Sequence, residues 1–202
     1  MKKLGFVLFI LAMTLALAGS ALAQIPIQGD QSLYFVTYFA NNISTAPDGT
    51  VRVINDGLNS ANIWADFFVF DDSEELTQCC SCVVTPDGLL SESVRNQLTK
   101  YPLTSIVPTR GVIKVIASAI EFDKNTNFAG EAPIAGLHGW ATHNQSTANK
   151  YPTGGSPYYV TETELADASL AAPEQALLEE LCKFDNLLSG KPCTCTLEDN
   201  DF

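Results

Sequence analysis

Six cysteines are the residues of this chain whose type and spacing point most directly to chemistry. They form two clusters of three, namely Cys79, Cys80 and Cys82, and Cys182, Cys193 and Cys195. An even number of cysteines in an exported chain is typical of a disulfide framework, because an oxidising compartment allows such bonds to persist. Six cysteines can pair in many ways, and the sequence alone does not select one pairing.

The spacing within the two clusters narrows the choice. In an extended strand Cys80 and Cys82 point to one face and Cys79 to the opposite face. Cys193 and Cys195 have the same two-residue spacing, and a bond between adjacent cysteines would strain the peptide between them. We therefore predict three bonds that join the first cluster to the second. Each would close a loop of about 100 residues, worth on the order of 4–5 kcal/mol for one bond alone. The three contributions are not additive, because the first bond shortens the loops that the others close.

A zinc or iron–sulfur site built from the same cysteines is the alternative. Zinc sites usually leave two to four residues between ligands, as in CxxC. Cys79 and Cys82 have that spacing, but the CTC segment does not, so the second pair of ligands is missing. An export route also disfavours reduced thiolates. The sequence therefore favours disulfides and predicts no metal ion or other cofactor.

The two histidines, His138 and His143, flank Trp140 in a predicted strand. Their five-residue offset places them on opposite faces of that strand, so we do not expect them to share a metal ion. The prediction here is that Trp140 belongs to the core and that the histidines lie on the surface or form hydrogen bonds. The chain has no HExxH, GxSxG, phosphate-loop or GxGxxG motif, and no catalytic residue is predicted.

An acidic run follows the third predicted strand and includes Asp71, Asp72 and Glu74. Carboxylate oxygens are calcium ligands, and extracellular modules bind calcium weakly. The run lacks the alternating pattern of an EF-hand loop, so a solvated turn is the simpler interpretation. These three residues are weak calcium candidates.

Three tyrosines near Gly154 and Gly155 are the candidates for a contact surface. Tyr151, Tyr158 and Tyr159 could form a face that binds sugar or protein. Ordinary packing is the other interpretation of the same residues.

Residues 1–23 are predicted to be a signal peptide. Lys2 and Lys3 precede an apolar stretch, and Ala21 and Ala23 form a small-x-small cleavage signature. Cleavage would leave 179 residues, enough for one domain, and would change the net charge from −12 to −14. Such an acidic chain is a poor candidate for binding nucleic acid or an anionic membrane. Since no second apolar run reaches the roughly 18 residues of a membrane span, we expect a secreted or periplasmic protein.

Residues 24–202 are predicted to form a single domain, mainly of β-structure. Short apolar segments separated by turn signals predict an antiparallel β-sandwich, Ig-like or jelly-roll-like. The predicted strands are 33–39, 50–54, 62–70, 78–85, 89–99, 111–122, 137–143 and 158–163. The segment 89–99 also fits a short helix, but its spacing between turns favours an extended strand.

One α-helix is predicted at about 173–188, followed by an acidic tail. Leu177, Leu178, Leu181 and Phe184 recur at helical spacing, and Cys182 falls beside the buried ones. A disulfide through Cys182 would pin this helix to the sandwich.

The segment CCSCVVTPDGL at 79–89, followed by 111–115 and 160–164, resembles a group of secreted bacterial proteins with no assigned activity. The resemblance covers most of the exported part. It implies a secreted, disulfide-bonded module and supplies no catalytic residue.

The sequence favours a non-enzymatic extracellular module, either a binding or adhesive protein or one that assembles an envelope or filament. Its expected partners are a protein or a glycan at the cell surface. Self-association is a further expectation, because the lead at 24–33 could add as a strand to a neighbouring sheet edge. The alternative function is a secreted carbohydrate-active hydrolase that uses a pair of carboxylates.

Overall fold

A computed structural model describes residues 33–121, 132–146 and 157–189, together with Cys193 and Cys195. Turn residues separate short runs rich in β-branched and aromatic side chains, so strands dominate these ranges. In chain order the elements are β1 Tyr34–Phe39, β2 Thr50–Asn55, β3 Ile63–Asp71, β4 Leu76–Val84, β5 Leu89–Ser93, a π-helical turn Val94–Leu98, β6 Gly111–Ser118, β7 Leu137–Ser146, β8 Tyr158–Glu164, β9 Ala166–Asp167 and helix α1 Ala172–Ser189.

The strands form two antiparallel sheets. Sheet A has the strand order β4-β3-β6-β1-β9, and sheet B has the order β5-β2-β7-β8. Alternation along β2 shows why the sheets pack face to face, since Val51 and Val53 are fully buried while Arg52 between them points outward. The predicted disulfide-stapled β-sandwich with a C-terminal helix is confirmed.

Sheet A is buried on both of its faces. In β3 the side chain of Phe67 packs into the core between the sheets, whereas the adjacent Phe68 packs on the opposite face. There Phe68 contacts a second apolar cluster that includes Leu178 and Cys182 of α1. The molecule therefore has three layers in the order sheet B, sheet A and α1.

The segment 89–99 is extended only in its first half, so the prediction of a strand through residue 99 was wrong. Ser93 ends the strand because its hydroxyl accepts a hydrogen bond from the Asn96 N–H at 2.8 Å. Thr99 closes the π-helical turn by donating its N–H to the Val94 carbonyl at 2.9 Å. The turn buries the side chains of Val94 and Leu98 in the core. The spacing of apolar residues in the sequence fits both a strand and a helix here and does not reveal this turn.

Candidate functional site

Three disulfides join β4 to the C-terminal part of the chain, as predicted. The Cα atoms are 5.8 Å apart in Cys79–Cys182, 5.2 Å in Cys80–Cys193 and 5.5 Å in Cys82–Cys195. Cys79 faces α1, while Cys80 and Cys82 face the core between the sheets. The order along β4 is the same as the order along the C-terminal part.

These bonds cover the outer edge of sheet A. The Cys193 N–H donates to the Cys79 carbonyl at 3.4 Å, and the Cys195 Sγ lies 3.2 Å from the Ser81 carbonyl. The Cys79 and Ser81 carbonyl groups, which face away from β3, are thus in contact with Cys193 and Cys195. We call β4 with Cys193 and Cys195 the stapled edge.

Sulfur atoms also crowd together at the stapled edge. The Sγ atoms of Cys80, Cys82 and Cys195 lie within 4.8 Å of one another, and among the described residues this is the one group of three or more potential metal ligands that converges. Each of these sulfurs is already bonded to another cysteine. A disulfide sulfur is not a thiolate, so this arrangement is covalent cross-linking.

Strand β8 forms one of the two edges of sheet B and, unlike β4, is almost entirely exposed. Six of its seven residues are exposed and the seventh, Tyr158, is half-buried. The Val160 side chain is 51% exposed although valine favours buried strand positions. We call β8 the open edge.

The register of β8 fixes which backbone groups face outward. β8 pairs with β7 so that Glu164 lies opposite Trp140, and the next residue, Leu165, donates its N–H to the Gly139 carbonyl at 2.8 Å. Opposite residues in an antiparallel pair alternate between bonded and non-bonded positions. Val160 and Glu162 therefore direct their N–H and C=O groups away from β7, toward the side that no described strand occupies.

Side chains on both faces hold β8 against its neighbours. On the outer face Arg52 of β2 forms an ion pair with Glu162. On the inner face the ring of His143 bridges the two sheets, with Nδ1 3.0 Å from the Tyr38 carbonyl and Nε2 2.7 Å from the Thr163 hydroxyl. Because a carbonyl only accepts, Nδ1 carries the proton and Nε2 accepts from Thr163.

His143 is buried and its ring stacks on Tyr38 with the centroids 4.1 Å apart. Burial lowers the pKa of His143, and the hydrogen bond to the Tyr38 carbonyl partly offsets that effect. The imidazole is therefore neutral at pH 7 and acts as a structural bridge between β1 and β8.

His138 lies on the other face of β7, as its five-residue offset predicts. Its Nε2 is 3.6 Å from an Asp56 carboxylate oxygen. Trp140 shares this outer face and is half-buried, so its predicted place in the core was wrong. The small residues Gly139 and Ala141 take the inward positions instead, because alternation puts them there.

The three calcium candidates lie in the turn between β3 and β4 with partners of their own. Asp71 accepts hydrogen bonds from the backbone N–H groups of Ser73 and Glu75, at 2.8 and 3.0 Å. Asp72 lies 2.7 Å from Arg110, and Glu74 is exposed with a φ of 65°. The arrangement describes a capped, ion-paired turn.

The tyrosine contact candidates fall partly on the open edge. Tyr158 and Tyr159 begin β8, opposite Ser146 and Gln145 of β7. Tyr159 is 55% exposed. Tyr151 lies outside the described residues, as do the predicted signal peptide and the predicted acidic tail.

Helix α1 carries two carboxyl groups, Glu174 and Asp185, whose pKa values are shifted by the packing of the helix. Glu174 accepts hydrogen bonds from Lys114 and from the Tyr34 hydroxyl, both at 2.6 Å, and these bonds lower its pKa. Asp185 is 1% exposed, and burial raises its pKa to about 6 although the Cys79 N–H donates to it. Both residues lie at the contact between α1 and sheet A, where their role is to fix the helix.

No family model, curated protein or solved structure matches this chain. The resemblance to secreted bacterial proteins therefore stays a prediction. In the part of the chain that the structure describes, no helix has both the length and the apolar character needed to cross a membrane. Three disulfides are compatible with an extracellular or periplasmic protein.

Proposed function

We propose that this protein is a secreted, non-enzymatic assembly module that joins its copies by adding a strand to the open edge. The observation that carries the proposal is β8, whose Val160 and Glu162 present backbone donors and acceptors on a side without a described strand. Edges of this kind are templates for strand addition. The stapled edge is closed to the same reaction by the C-terminal segment.

The added strand is the lead segment, residues 24–32, of a neighbouring copy. Its nine residues span at most about 30 Å when extended, while seven-residue β8 needs about 23 Å. Ile25 and Ile27 would share one face of the added strand. Pro26 is tolerated there because an edge strand can spare one N–H.

Charge favours this donor over other strands of the same acidic chain. β8 carries Glu162 and Glu164 on one face, so two β8 strands paired with each other would bring like charges together. The lead has a single acidic residue, Asp30, and no basic residue. A lead-to-edge contact joins two different surfaces, and such contacts build rings when the rotation between copies closes and open chains when it does not.

A proline at Val160 tests the edge directly. Because the Val160 N–H faces outward, Val160→Pro removes a donor for the added strand without removing a bond to β7. Val160→Thr is the matched control, since threonine keeps the N–H and the β-branched shape. In analytical ultracentrifugation we expect the exported wild type and V160T to form larger oligomers than V160P, which should stay folded but lose the strand-addition contact.

Deleting residues 24–31 tests the donor. The deletion protein should stay folded and should not form the strand-addition contact. A synthetic peptide of residues 24–32 should bind to this protein but not to the same deletion carrying V160P. Oligomers that persist in both V160P and the deletion, with no peptide binding, would show that assembly by strand addition is absent.

The alternative of a carbohydrate-active hydrolase requires a cleft with two carboxylates. The described groove beside α1 is lined by Lys100, Tyr101, Pro102, Leu103, Ser105, Val107 and Leu188, none of them acidic. No feature of the described residues favours the hydrolase over assembly.

A further inference from the structure

Exposed apolar side chains concentrate on one region that strand addition does not use. Among the described residues, fourteen large hydrophobic side chains are exposed, and seven of them belong to α1 or to the loop 100–107. The seven are Tyr101, Ile106, Val107, Leu177, Phe184, Leu187 and Leu188. We call them, together with Leu181, the apolar face of α1. Leu181 is partly buried, because it also packs against the cluster around Leu178 and Cys182.

Helix α1 has apolar residues on two sides, and sheet A can cover only one of them. Leu178 and Cys182 point inward and are buried, together with the anchor Asp185. Leu177, Leu181, Phe184 and Leu188 follow one another at intervals of four, three and four residues. That spacing is the seam of two packed helices, because it keeps one stripe facing a partner helix.

The stripe runs into a groove at the C-terminal end of the helix. Leu188 and the loop residues Tyr101, Leu103 and Val107 line this groove, which has a volume of about 490 Å³. Two backbone hydrogen bonds hold the loop against β4, from the Leu103 N–H to the Thr77 carbonyl at 2.8 Å and from the Tyr101 N–H to Gln78 Oε1 at 3.1 Å. The stripe and the groove thus form one continuous surface.

The exposed area agrees with what a dimer needs. The seven side chains are 36% to 80% exposed and present roughly 80–100 Å² each, so together they offer on the order of 600 Å². Two such faces bury about 1,200 Å² in total, which is the lower limit of a stable protein–protein interface. A single copy would leave that apolar area in water.

We propose that a second copy of this chain covers the apolar face, with the two α1 helices packed antiparallel about a two-fold axis. The axis passes between Leu181 and Phe184, so that Leu177 of one copy meets Leu188 of the other beside its groove. Glu180 of one copy then lies within about one helical turn of Lys183 of the other, a favourable exchange of the intrahelical pair. This contact goes beyond strand addition and does not depend on it.

The dimer is measured in the protein lacking residues 24–31, where strand addition has no donor. We expect sedimentation equilibrium to show a dimer with a dissociation constant in the micromolar range. Phe184→Gln with Leu188→Gln should weaken it at least tenfold, because both side chains are more than half exposed in the monomer and buried in the dimer. Leu177→Gln alone, at the other end of the stripe, should weaken it by a smaller factor.

Leu58→Gln is the matched control, since Leu58 is 83% exposed in the turn after β2 and lies outside the apolar face. Raising the salt concentration should strengthen the dimer, because each copy carries a net charge far below zero. A deletion protein that is monomeric at about 100 µM, or a dimer that F184Q/L188Q and L58Q weaken equally, would overturn the proposal. The strand-addition experiments at Val160 would be unaffected by either result.

Discussion

Two of the edge strands, β4 of sheet A and β8 of sheet B, differ sharply in how their outward backbone groups are covered. At the stapled edge Cys193 and Cys195 lie beside β4, and two disulfides hold them there. At the open edge six of seven residues of β8 are exposed, and its outward backbone groups face no described strand. One sandwich therefore combines an edge sealed by covalent bonds with an edge that is open to pairing.

Removing the disulfides should have the largest effect on this contrast. Replacing all six cysteines by alanine should lower the free energy of unfolding by on the order of 9 kcal/mol, whereas C82A/C195A alone should cost only about 2 kcal/mol, since Cys80–Cys193 already closes nearly the same loop. Urea titrations followed by circular dichroism measure both. Equal costs for each of the three bonds would contradict the chain-entropy explanation.

Opening the stapled edge without unfolding the protein is the sharper form of the same experiment. The variant C80A/C193A/C82A/C195A keeps Cys79–Cys182, so α1 stays attached while β4 loses its covering segment. We expect a second open edge and therefore additional association that V160P does not prevent. A variant that behaves like the wild type in ultracentrifugation would show that the C-terminal segment covers β4 without the bonds.

Asp185, which packs against Cys79 of the stapled edge, should make the stability of the protein depend on pH. Its pKa is raised from 3.8 to about 6, so the native state holds the proton more tightly than the unfolded chain does. Stability should fall as the pH rises from about 4 to 7, by on the order of 2–3 kcal/mol, and then level off. Asp185→Asn should remove this loss of stability. Thermal unfolding of the wild type and of D185N over a range of pH values measures the difference. Parallel pH curves would contradict the assignment.

Glu174 should act in the opposite sense and more weakly. Lys114 and Tyr34 lower its pKa, so its contribution is present above the ordinary carboxyl range and is lost as the pH falls through the lowered pKa. Because the pair is partly exposed, Glu174→Gln should cost about 1 kcal/mol or less at pH 7. The double variant with Lys114→Gln should cost little more than either change alone in urea unfolding. Additive costs would mean that the pair is not coupled.

The smallest effect on stability is expected at the open edge. Glu162→Gln breaks the exposed ion pair with Arg52 and should change the free energy of unfolding by less than about 0.5 kcal/mol. Removing one negative charge from β8 should nevertheless strengthen binding of the 24–32 peptide to the deletion protein. Isothermal titration calorimetry measures this, with Glu121→Gln, outside the strands, as the control for charge. Weaker peptide binding by E162Q than by E121Q would count against β8 as the acceptor.

Much of the fold was predictable because its signals are local. Alternating apolar residues and turn residues placed seven strands within four residues of their observed bounds, and helical spacing placed α1 within one residue at each end. The strand at 89–99 failed halfway because Ser93 caps a π-helical turn whose purpose is to bury Val94 and Leu98. The two-residue strand β9 left no signal, since its pairing with β1 depends on a partner distant in the chain.

The candidate site was less accessible to sequence reasoning. Tyr158 and Tyr159 were singled out, but the value of β8 lies in the backbone of Val160 and Glu162, which no side-chain motif marks. The apolar face of α1 was hidden for a different reason. Leu177 and Leu178 look equally hydrophobic in the sequence, and only the position of sheet A decides that one is buried and the other 57% exposed.

The sequence by itself predicted bonds between the two cysteine clusters and most of the elements, because side-chain alternation, helical periodicity and cysteine spacing are properties of neighbouring residues. The pairing of CCSC with the later cysteines follows from which face of β4 each one occupies. The tertiary structure alone decided which edges are sealed and which are open. That choice depends on the strand order in each sheet and on where the C-terminal segment lies, and both arise from contacts between residues about 100 positions apart.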